Sequence, residues 1–343
     1  MRLSDPAYVA LDVTYRCNER CGFCFIPFNP RLRRARREMS LAQWRTLIDS
    51  FGGSPRRFYV TGGEPLLRPD IAGIVEHIKK RGHSCLLTTN GLLLGPRLVR
   101  RLLECGVDQV AVSLHGDAAV HDLSCGVKGA HDRVVSGIRA LTGSPLRRKT
   151  SVSIWCTVNR LNHSRLLEHC LHFSGLGADE IAFNHLEFIT AAALGRSRRI
   201  WRRRRQRMPG LKPSARLAAG IDARELARQV ALIRELGRPD VRFYPELSAR
   251  QIRVWYDPKV LPRRGASCAG QWSSLWISPS GDVLTCQPVA QRVGALSKDG
   301  QWRAAYAGPD YAGFRALLTD CGGMTPLCMR CGRAPYQSPP EGP

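Results

Sequence analysis

The feature that most constrains this chain is a sixfold alternation of strand-like and helix-like segments over its first 190 residues. The strand-like segments are short, apolar and rich in β-branched residues, which is typical of buried strands. Strands are predicted at 8–15, 57–61, 84–89, 109–114, 150–158 and 180–186, and helices at 40–51, 69–82, 95–106, 130–141 and 163–175. Such repeats predict a parallel sheet with crossover helices and an active site at the carboxyl ends of the strands.

The alternation stops after about residue 190. Residues 195–216 are strongly basic, a helix is predicted at 222–236, and the last eighty residues are rich in Cys, Gly and Pro with short strands only. A unit so poor in apolar residues needs a staple such as a metal cluster. We therefore predict three parts: a barrel domain, a basic linker with a helical bridging region, and a small cysteine-rich domain. Their ranges are 1–190, 191–260 and 261–343.

Three cysteines directly follow the first predicted strand with the spacing C-x3-C-x2-C: Cys17, Cys21 and Cys24. Three thiolates this close can bind three irons of a cubane iron–sulfur cluster and leave the fourth iron open. The alternative is a structural zinc site. Zinc usually takes four ligands arranged as two pairs, and a triplet without a nearby fourth ligand fits that pattern poorly.

The cysteine loop, with the aromatic Phe23 before its third cysteine, resembles the hallmark of the radical S-adenosylmethionine (SAM) superfamily. The next three predicted strands end in segments that resemble further motifs of that family, namely GGEP, TNG, and SLHG or SLDG. These segments are Gly62-Gly63-Glu64-Pro65, Thr89-Asn90-Gly91 and Ser113-Leu114-His115-Gly116. The resemblance covers roughly residues 8–190. It implies an α/β fold with a partial (β/α)6 TIM-like barrel.

The resemblance also implies cofactors and chemistry. A [4Fe–4S] cluster would be held by the three cysteines and by SAM. Reductive cleavage of SAM would then give a 5′-deoxyadenosyl radical that abstracts a substrate hydrogen, with electrons from a flavodoxin- or ferredoxin-type donor. In the family, the GGEP segment hydrogen-bonds the SAM amino group. The residues expected to bind SAM are Phe23, Gly62, Gly63, Glu64, Pro65, Asn90, Ser113 and Asn159.

Two of the candidate site residues have plain structural alternatives. His115 follows the fourth strand and is a candidate SAM contact or catalytic base, but a loop histidine that only forms hydrogen bonds fits the sequence equally well. Asn159 follows the fifth strand, where family members often present a polar SAM contact, and it could equally be a turn residue.

Four cysteines near the C-terminus form two pairs. Cys268 and Cys286 flank a predicted β-hairpin, and Cys328 and Cys331 form a C-x2-C knuckle. Four thiolates complete a site for zinc or for an iron–sulfur cluster, and the residue types leave both open. The pattern resembles the SPASM or shorter twitch domains of radical SAM enzymes, which implies an auxiliary [4Fe–4S] cluster. Cys321 is left over as a replacement ligand, a hydrogen donor or an inert thiol.

The remaining cysteines are isolated in apolar or helical surroundings, where we expect small buried side chains. They are Cys85, Cys105, Cys125, Cys156 and Cys170.

The chain is strongly basic, with 52 Lys and Arg against 28 Asp and Glu and a formal net charge of +24. Such a charge attracts anionic partners, although a GC-rich genome would also enrich arginine. The run from Arg202 to Arg205 is either a solvated face or a binding site for an acidic leader peptide, a phosphorylated substrate or nucleic acid. Only Trp201 is interleaved with these arginines, so a nucleic-acid groove is poorly supported. No segment predicts a membrane span or signal peptide, which favours the cytoplasm.

Two hypotheses follow. The first is a radical SAM oxidoreductase with an auxiliary cluster that oxidises, crosslinks or epimerises a natural-product intermediate or a peptide. A small molecule is slightly favoured over a peptide because no leader-binding domain precedes the first strand. The second hypothesis is a non-catalytic, basic nucleic-acid-binding protein stabilised by zinc or an iron–sulfur cluster. The motifs at successive strand ends argue against it.

Overall fold

A computed structural model of the chain describes residues 5–24, 26, 37–262 and 267–332. Ten strands within these residues form one sheet, and the six predicted strands are confirmed as its middle part. The strands are β1 (Tyr8–Thr14), β2 (Arg57–Gly62), β3 (Ser84–Thr89), β4 (Gln109–Ser113), β5 (Ser151–Thr157), β6 (Glu180–Asn184), β7 (Val241–Tyr244), β8 (Ser274–Ile277), β9 (Asp282–Leu284) and β10 (Arg292–Ala295).

Helices connect the parallel strands and cover the outer face of the sheet. All six helices predicted from the sequence are present, with ends within a few residues of the predicted ones. The helices are α1 (Leu41–Asp49), α2 (Ile71–Lys80), α3 (Pro96–Glu104), α4 (Ala118–Cys125), α5 (Ala130–Thr142), α6 (Leu166–Ser174), α7 (Ala191–Arg203), α8 (Ala223–Glu235), α9 (Ala249–Tyr256), α10 (Gly270–Ser273), α11 (Arg303–Ala307) and α12 (Pro309–Asp320).

The sheet extends beyond the predicted barrel at both edges. Its order is β10-β9-β8-β1-β2-β3-β4-β5-β6-β7, and all neighbours from β8 to β7 run parallel. The partial barrel is therefore confirmed, and it gains one parallel strand from the bridging region and one from the C-terminal region. The domain boundaries at 190 and 260 stay predictions, and the sheet crosses both of them.

Side chains alternate between the two faces of the barrel strands, as the period of two requires. One face packs against the helices in a large apolar core. The other face carries a smaller cluster that includes Ala10, Tyr59, Leu86 and Trp276. The Tyr59 ring centroid lies 6.3 Å from that of Trp155 and 6.1 Å from that of Trp276. Aromatic rings therefore fill the inside of the barrel below the carboxyl ends of the strands.

The C-terminal region is partly as predicted and partly different. The hairpin is confirmed, because β8 and β9 pair antiparallel around Gly281, whose φ of +82° suits a residue without a Cβ. The expectation of short strands only was wrong, since α12 has twelve residues. Pro309 at its first position gives a fixed φ that suits helix initiation. The apolar face of α12 lies against the body of the protein, and Tyr311, Phe314 and Leu317 are buried.

Among the described residues, no helix combines the length and the apolar character that a membrane crossing requires.

The two glycines at the end of β2 allow the start of the cysteine loop to pack directly against that strand. The Gly63 N–H donates to the Thr14 carbonyl oxygen at 2.7 Å, and the Glu64 N–H donates to that of Arg16 at 2.8 Å. A Cβ on Gly62 would overlap the Thr14 carbonyl oxygen, and one on Gly63 would overlap that of Arg16. The sequence motif thus provides a close approach between two backbones at the base of the loop.

We expect Gly63→Ala to lower the free energy of unfolding by about 1–3 kcal/mol, because the new Cβ forces two backbone segments apart. Thermal unfolding of the apoprotein, followed by circular dichroism, measures this effect. Gly53→Ala is the matched control, since nothing lies within 4 Å of its Cβ. Equal melting temperatures for the two variants would contradict the packing role of Gly63.

Candidate functional site

The cysteine loop lies at the carboxyl end of β1 and is supported by α4, a helix that the sequence analysis missed. The N–H of Arg20 donates to the Cys125 carbonyl oxygen at 2.8 Å, and that of Gly22 donates to the Ser124 carbonyl oxygen at 3.1 Å. Both acceptors belong to the last turn of α4, whose free carbonyl groups are available for such bonds. The C-terminus of α4 therefore holds the loop in place.

The three loop thiols differ in exposure but share the hydrogen-bonding surroundings of one loop. Cys17 is exposed, whereas Cys21 and Cys24 are half-buried. Burial raises the pKa of the Cys21 and Cys24 thiols, and the Cys21 thiol donates to a Glu19 carboxylate oxygen at 3.1 Å. Thiols with raised pKa values lose their protons when a cation binds and compensates the thiolate charge. The donor set fits an iron–sulfur cluster bound at three corners.

Glu64 connects the ends of two strands through a fully buried carboxylate. One of its oxygens accepts from the Thr89 hydroxyl at 2.8 Å and from the Leu66 N–H at 2.9 Å. The other accepts from the Asn90 N–H at 2.6 Å. Burial raises the pKa of this carboxyl to about 7. The glutamate of the GGEP-like segment thus joins β2 to β3, and its role toward SAM stays a prediction.

Asn90 extends this connection to the cysteine loop. Its side-chain N–H group donates to the Asn18 side-chain oxygen at 2.7 Å and approaches the Cys17 sulfur at 3.9 Å. Its side-chain oxygen accepts from the Leu92 N–H at 3.1 Å. The TNG-like and GGEP-like segments are therefore in contact with each other and with the first cysteine.

A cleft of about 240 Å³ opens beside the cysteine loop. Gly22 and Phe23 contribute to its wall from the loop, and Asn159 contributes from the end of β5. Arg216 and Leu217, from the basic region after β6, line it as well. The structure thus brings together two predicted SAM contacts, Phe23 and Asn159, and adds two residues that the sequence analysis did not consider. The wall combines an aromatic ring, aliphatic groups and hydrogen-bonding groups, which suits a small polar ligand.

Asn159 also shapes its own loop. Its side-chain oxygen accepts from the Leu161 N–H at 2.8 Å, and its amide group donates to Ser124 at 3.3 Å. The turn function weighed in the sequence analysis is therefore present, and the SAM contact stays a prediction. Ser113, at the end of β4, is half-buried.

His115 is buried, and its backbone N–H, its carbonyl oxygen and its ring each form a hydrogen bond. Its Nδ1 accepts from the Thr157 N–H at 3.3 Å, so in the neutral ring the proton is on Nε2. Its ring meets that of Phe23 edge-on at a centroid distance of 4.8 Å. Burial lowers the pKa of His115 well below its usual value. This environment favours a role of His115 in positioning the Phe23 ring. The hypothesis that His115 is an acid–base catalyst stays a prediction.

The four C-terminal cysteines come together as the predicted hairpin requires. Burial raises the pKa of the Cys286 thiol, and negative charge on Cys328, Cys331 and Cys268 raises it further. Burial also raises the pKa of the Cys328 thiol to about 11. Four clustered thiols that ionise with difficulty need a bound cation to be stable as thiolates, which fits a metal centre.

Cys321 lies at the end of α12 and is close enough to Cys328 for its charge to affect that thiol. Its three predicted roles stay predictions. The isolated cysteines at 85, 105, 125, 156 and 170 are all buried, which confirms the expectation that they lie inside the protein.

Arg330 fixes the C-terminal knuckle to the rest of the protein. Its guanidinium group is buried and donates to the carbonyl oxygens of Trp255, Asp257 and Val260 at 2.6 to 2.7 Å. It also stacks over the Phe188 ring at 4.4 Å. The fork of a guanidinium group suits several acceptors at once, so this residue orients the two cysteines that flank it.

A buried polar connection inside the barrel links the two cysteine regions, and the sequence analysis missed it. Asp12 of β1 accepts from the Gln287 side chain at 3.0 Å and from the Tyr15 hydroxyl at 3.0 Å. Gln287 directly follows Cys286, and Tyr15 precedes Cys17 by two residues. An acidic residue in a buried strand was the only available signal, and its partner lies 275 positions away.

A second compact group of potential ligands consists of Glu19, His121 and Cys125, whose ligand atoms lie within 4.8 Å of one another. However, His121 Nδ1 accepts from the His115 N–H at 3.1 Å, so the neutral ring carries its proton on Nε2. That nitrogen suits hydrogen-bond donation better than metal binding, and we interpret the group as support for the cysteine loop.

Comparison with known proteins agrees with this geometry. Residues 11–170 match the radical SAM superfamily. A PqqA peptide cyclase of Xanthomonas campestris pv. campestris (strain 8004) is 27% identical over 337 residues, which cover 95% of this chain and 79% of the relative. A PqqA peptide cyclase of Xanthomonas axonopodis pv. citri (strain 306) is 30% identical over 293 residues, or 82% of this chain and 68% of the relative.

The fold is similar to that of Streptococcus suis SuiB, whose crystal structure was solved with its precursor peptide SuiA. The TM-score is 0.64 at 17% sequence identity, and the match covers 95% of this chain and 71% of SuiB. The sequence relatives and the shared fold agree with the cysteine loop at the carboxyl end of β1. The chain belongs to the radical SAM superfamily and is an enzyme of that type.

Proposed function

We propose that this enzyme is a peptide-modifying radical SAM oxidoreductase with an auxiliary iron–sulfur cluster. The observation that carries the proposal is the parallel pairing of β8 with β1, in which Tyr8 lies opposite Ser274. Because of this pairing, the loop with Cys17 and the region with Cys286 lie on neighbouring parts of the same sheet. Such an arrangement suits an enzyme in which both metal centres serve one substrate.

The family implies a [4Fe–4S] cluster and SAM, and the residues of the first site fit them. Cys17, Cys21 and Cys24 would hold the cluster. When bound, SAM and the cluster supply a radical that abstracts hydrogen from an unactivated C–H bond. The cleft lined by Phe23, Asn159 and Leu217 is our candidate for the adenosyl part of SAM.

The chain itself contributes orientation and the exclusion of water. Glu64 and Asn90 hold the strand ends and the cysteine loop in a fixed relation through short hydrogen bonds. The aromatic layer around Tyr59 closes the barrel from below. Asp12 and Thr61 lie opposite each other at the carboxyl ends of β1 and β2. The aromatic layer inside the barrel and the polar residues at the carboxyl ends of the strands together suit a substrate that must be shielded from solvent.

The peptide assignment rests on the relatives. The PqqA peptide cyclases are named for a peptide, and SuiB was crystallised with its precursor peptide SuiA. This shifts the balance away from the small molecule that the sequence analysis slightly favoured. For the second site, Cys268, Cys286, Cys328 and Cys331 would hold a second [4Fe–4S] cluster. When bound, it would supply an electron acceptor, which suits an oxidation or a crosslink.

Cys17→Ala is expected to abolish reductive SAM cleavage, because one of only three protein ligands to the cluster is lost. The measurement is 5′-deoxyadenosine formed from SAM and dithionite under anaerobic conditions after reconstitution with iron and sulfide. Cys105→Ala is the control, since the Cys105 thiol is buried and donates to the Ala72 carbonyl oxygen of α2. Cleavage at the wild-type rate in Cys17→Ala would refute the assignment of the first site.

Cys328→Ala is expected to keep SAM cleavage and to lose product formation, because only the second site is damaged. Iron content should fall from about eight to about four per chain if both centres are [4Fe–4S] clusters. One bound zinc per wild-type chain with about four irons would contradict the second cluster. An unchanged product yield in the variant would show that the second site is not required.

The substrate class is tested by deuterium transfer. We expect deuterium to move from a labelled candidate precursor peptide into 5′-deoxyadenosine, because the abstracted hydrogen ends on that product. Mass spectrometry of the nucleoside measures it, with the unlabelled peptide as control. Transfer only from a free amino acid or sugar derivative would contradict the peptide proposal.

A further inference from the structure

The most basic part of the chain forms an exposed face on α7. No acidic residue occurs between Glu187 and Asp222, and this interval contains ten Lys and Arg residues. We define the α7 basic face as the exposed arginines of this helix and of the turn after it. These are Arg196, Arg198, Arg199, Arg202, Arg203, Arg204, Arg205 and Arg207.

The helix that carries this face is firmly anchored. Thr190 caps its N-terminus by accepting from the Ala193 N–H at 3.1 Å. Leu194 and Trp201 form a buried stripe at helical spacing, and the Trp201 indole N–H donates to the Gln291 side chain at 2.9 Å. The arginines therefore project from a fixed scaffold, and their spacing is defined before any partner binds.

The arginines of this face form few ion pairs with acidic side chains of the described residues. Several exposed arginines on other helices pair with nearby acids, as in Arg100 with Glu104 at 2.7 Å and Arg228 with Glu225 at 2.7 Å. Within the described part of the chain, the α7 basic face has a single ion pair, between Arg204 and Asp320. The face differs from the other helices most in its crowding, with eight arginines in the twelve positions 196–207 and no acid among them.

Crowded like charges destabilise a helix. Arg198 and Arg202 are four positions apart, as are Arg199 and Arg203, and such pairs repel each other. An anionic partner that binds across them relieves this repulsion and forms charge-assisted hydrogen bonds, for which the guanidinium fork and a carboxylate are well matched. The face therefore has the properties of a binding surface for carboxylates.

The location of α7 connects this face with the active site. The helix begins seven residues after the end of β6, which is at the carboxyl edge of the sheet. It packs against the turn Pro326–Cys328, which contains one of the second-site cysteines. A partner held on α7 is thus close to the second cysteine group, so a tethered reactive segment gains a high effective concentration there.

We propose that the α7 basic face binds an acidic segment of the peptide substrate, outside the part that is chemically modified. This proposal rests on the peptide substrate class proposed above. Nucleic acid is the less favoured partner, because single-stranded nucleic acid binds basic grooves with exposed aromatic rings for base stacking. The aromatic residue within the face, Trp201, is buried.

The test compares two variants of the reconstituted full-length enzyme with equal net charge. R198Q/R199Q/R202Q/R203Q removes four charges from the face. R97Q/R139Q/R224Q/R250Q removes four exposed arginines from α3, α5, α8 and α9. Fluorescence anisotropy with labelled octaglutamate measures affinity, with octaglutamine as the neutral probe and oligo(dT) as the nucleic-acid probe. Circular dichroism confirms that both variants are folded.

We expect the α7 variant to bind octaglutamate about tenfold more weakly or worse, and the control variant to bind it like the wild type. Affinity should fall with salt, and octaglutamine should not bind. Equal losses in both variants, or tighter binding of oligo(dT) than of octaglutamate, would overturn the proposal. SAM cleavage without peptide is expected to be unchanged in the α7 variant. If the wild-type enzyme does not cleave SAM, that result counts against the proposed function alone. The octaglutamate binding assay does not depend on SAM cleavage.

Discussion

The parallel pairing of β8 with β1 is the contact on which the arrangement of this enzyme depends. β1 leads directly into the first cysteine loop, and β8 opens the hairpin that precedes Cys286. Backbone hydrogen bonds between these strands set the register of two segments that are more than 250 residues apart in the chain. The buried Asp12 strengthens the connection, because it joins Tyr15 beside the first loop to Gln287 beside the second.

The motif residues at the strand ends have a structural function that is distinct from cofactor binding. Gly62 and Gly63 allow the backbone of β2 to approach the start of the cysteine loop, and Glu64 receives hydrogen bonds from the end of β3. Asn90 then reaches the loop itself. Rigid positioning of this kind is what a site for a reactive cofactor needs, since the supporting contacts determine where the ligands point.

The buried cysteine sites and the basic surface of the protein differ in their electrostatics. Near the cysteine groups, burial raises the pKa values of thiols and of Glu64, so these groups ionise less readily unless a bound cation compensates their negative charge. On the surface, several arginines of other helices pair with neighbouring acids, whereas the crowded arginines of the α7 basic face have one such pair among the described residues. The thiols of the sites can thus become thiolates when a cation binds, and the surface beside the second site suits an anionic partner.

The sequence by itself determined the six central strands, their crossover helices, the hairpin around Gly281 and the identity of both cysteine groups. These depend on local signals, namely hydrophobic period, turn residues and cysteine spacing. Each of these signals is contained in a short stretch of sequence. Tertiary structure alone decided that β7 and β8 extend the barrel, that α4 supports the first loop, and that Asp12 meets Gln287. Strands of four residues carry little periodic signal, and contacts between residues 12 and 287 depend on how the whole sheet closes. The basic run after residue 195 was evident in the sequence, but only the packing of Trp201 showed that its arginines share an anchored helix.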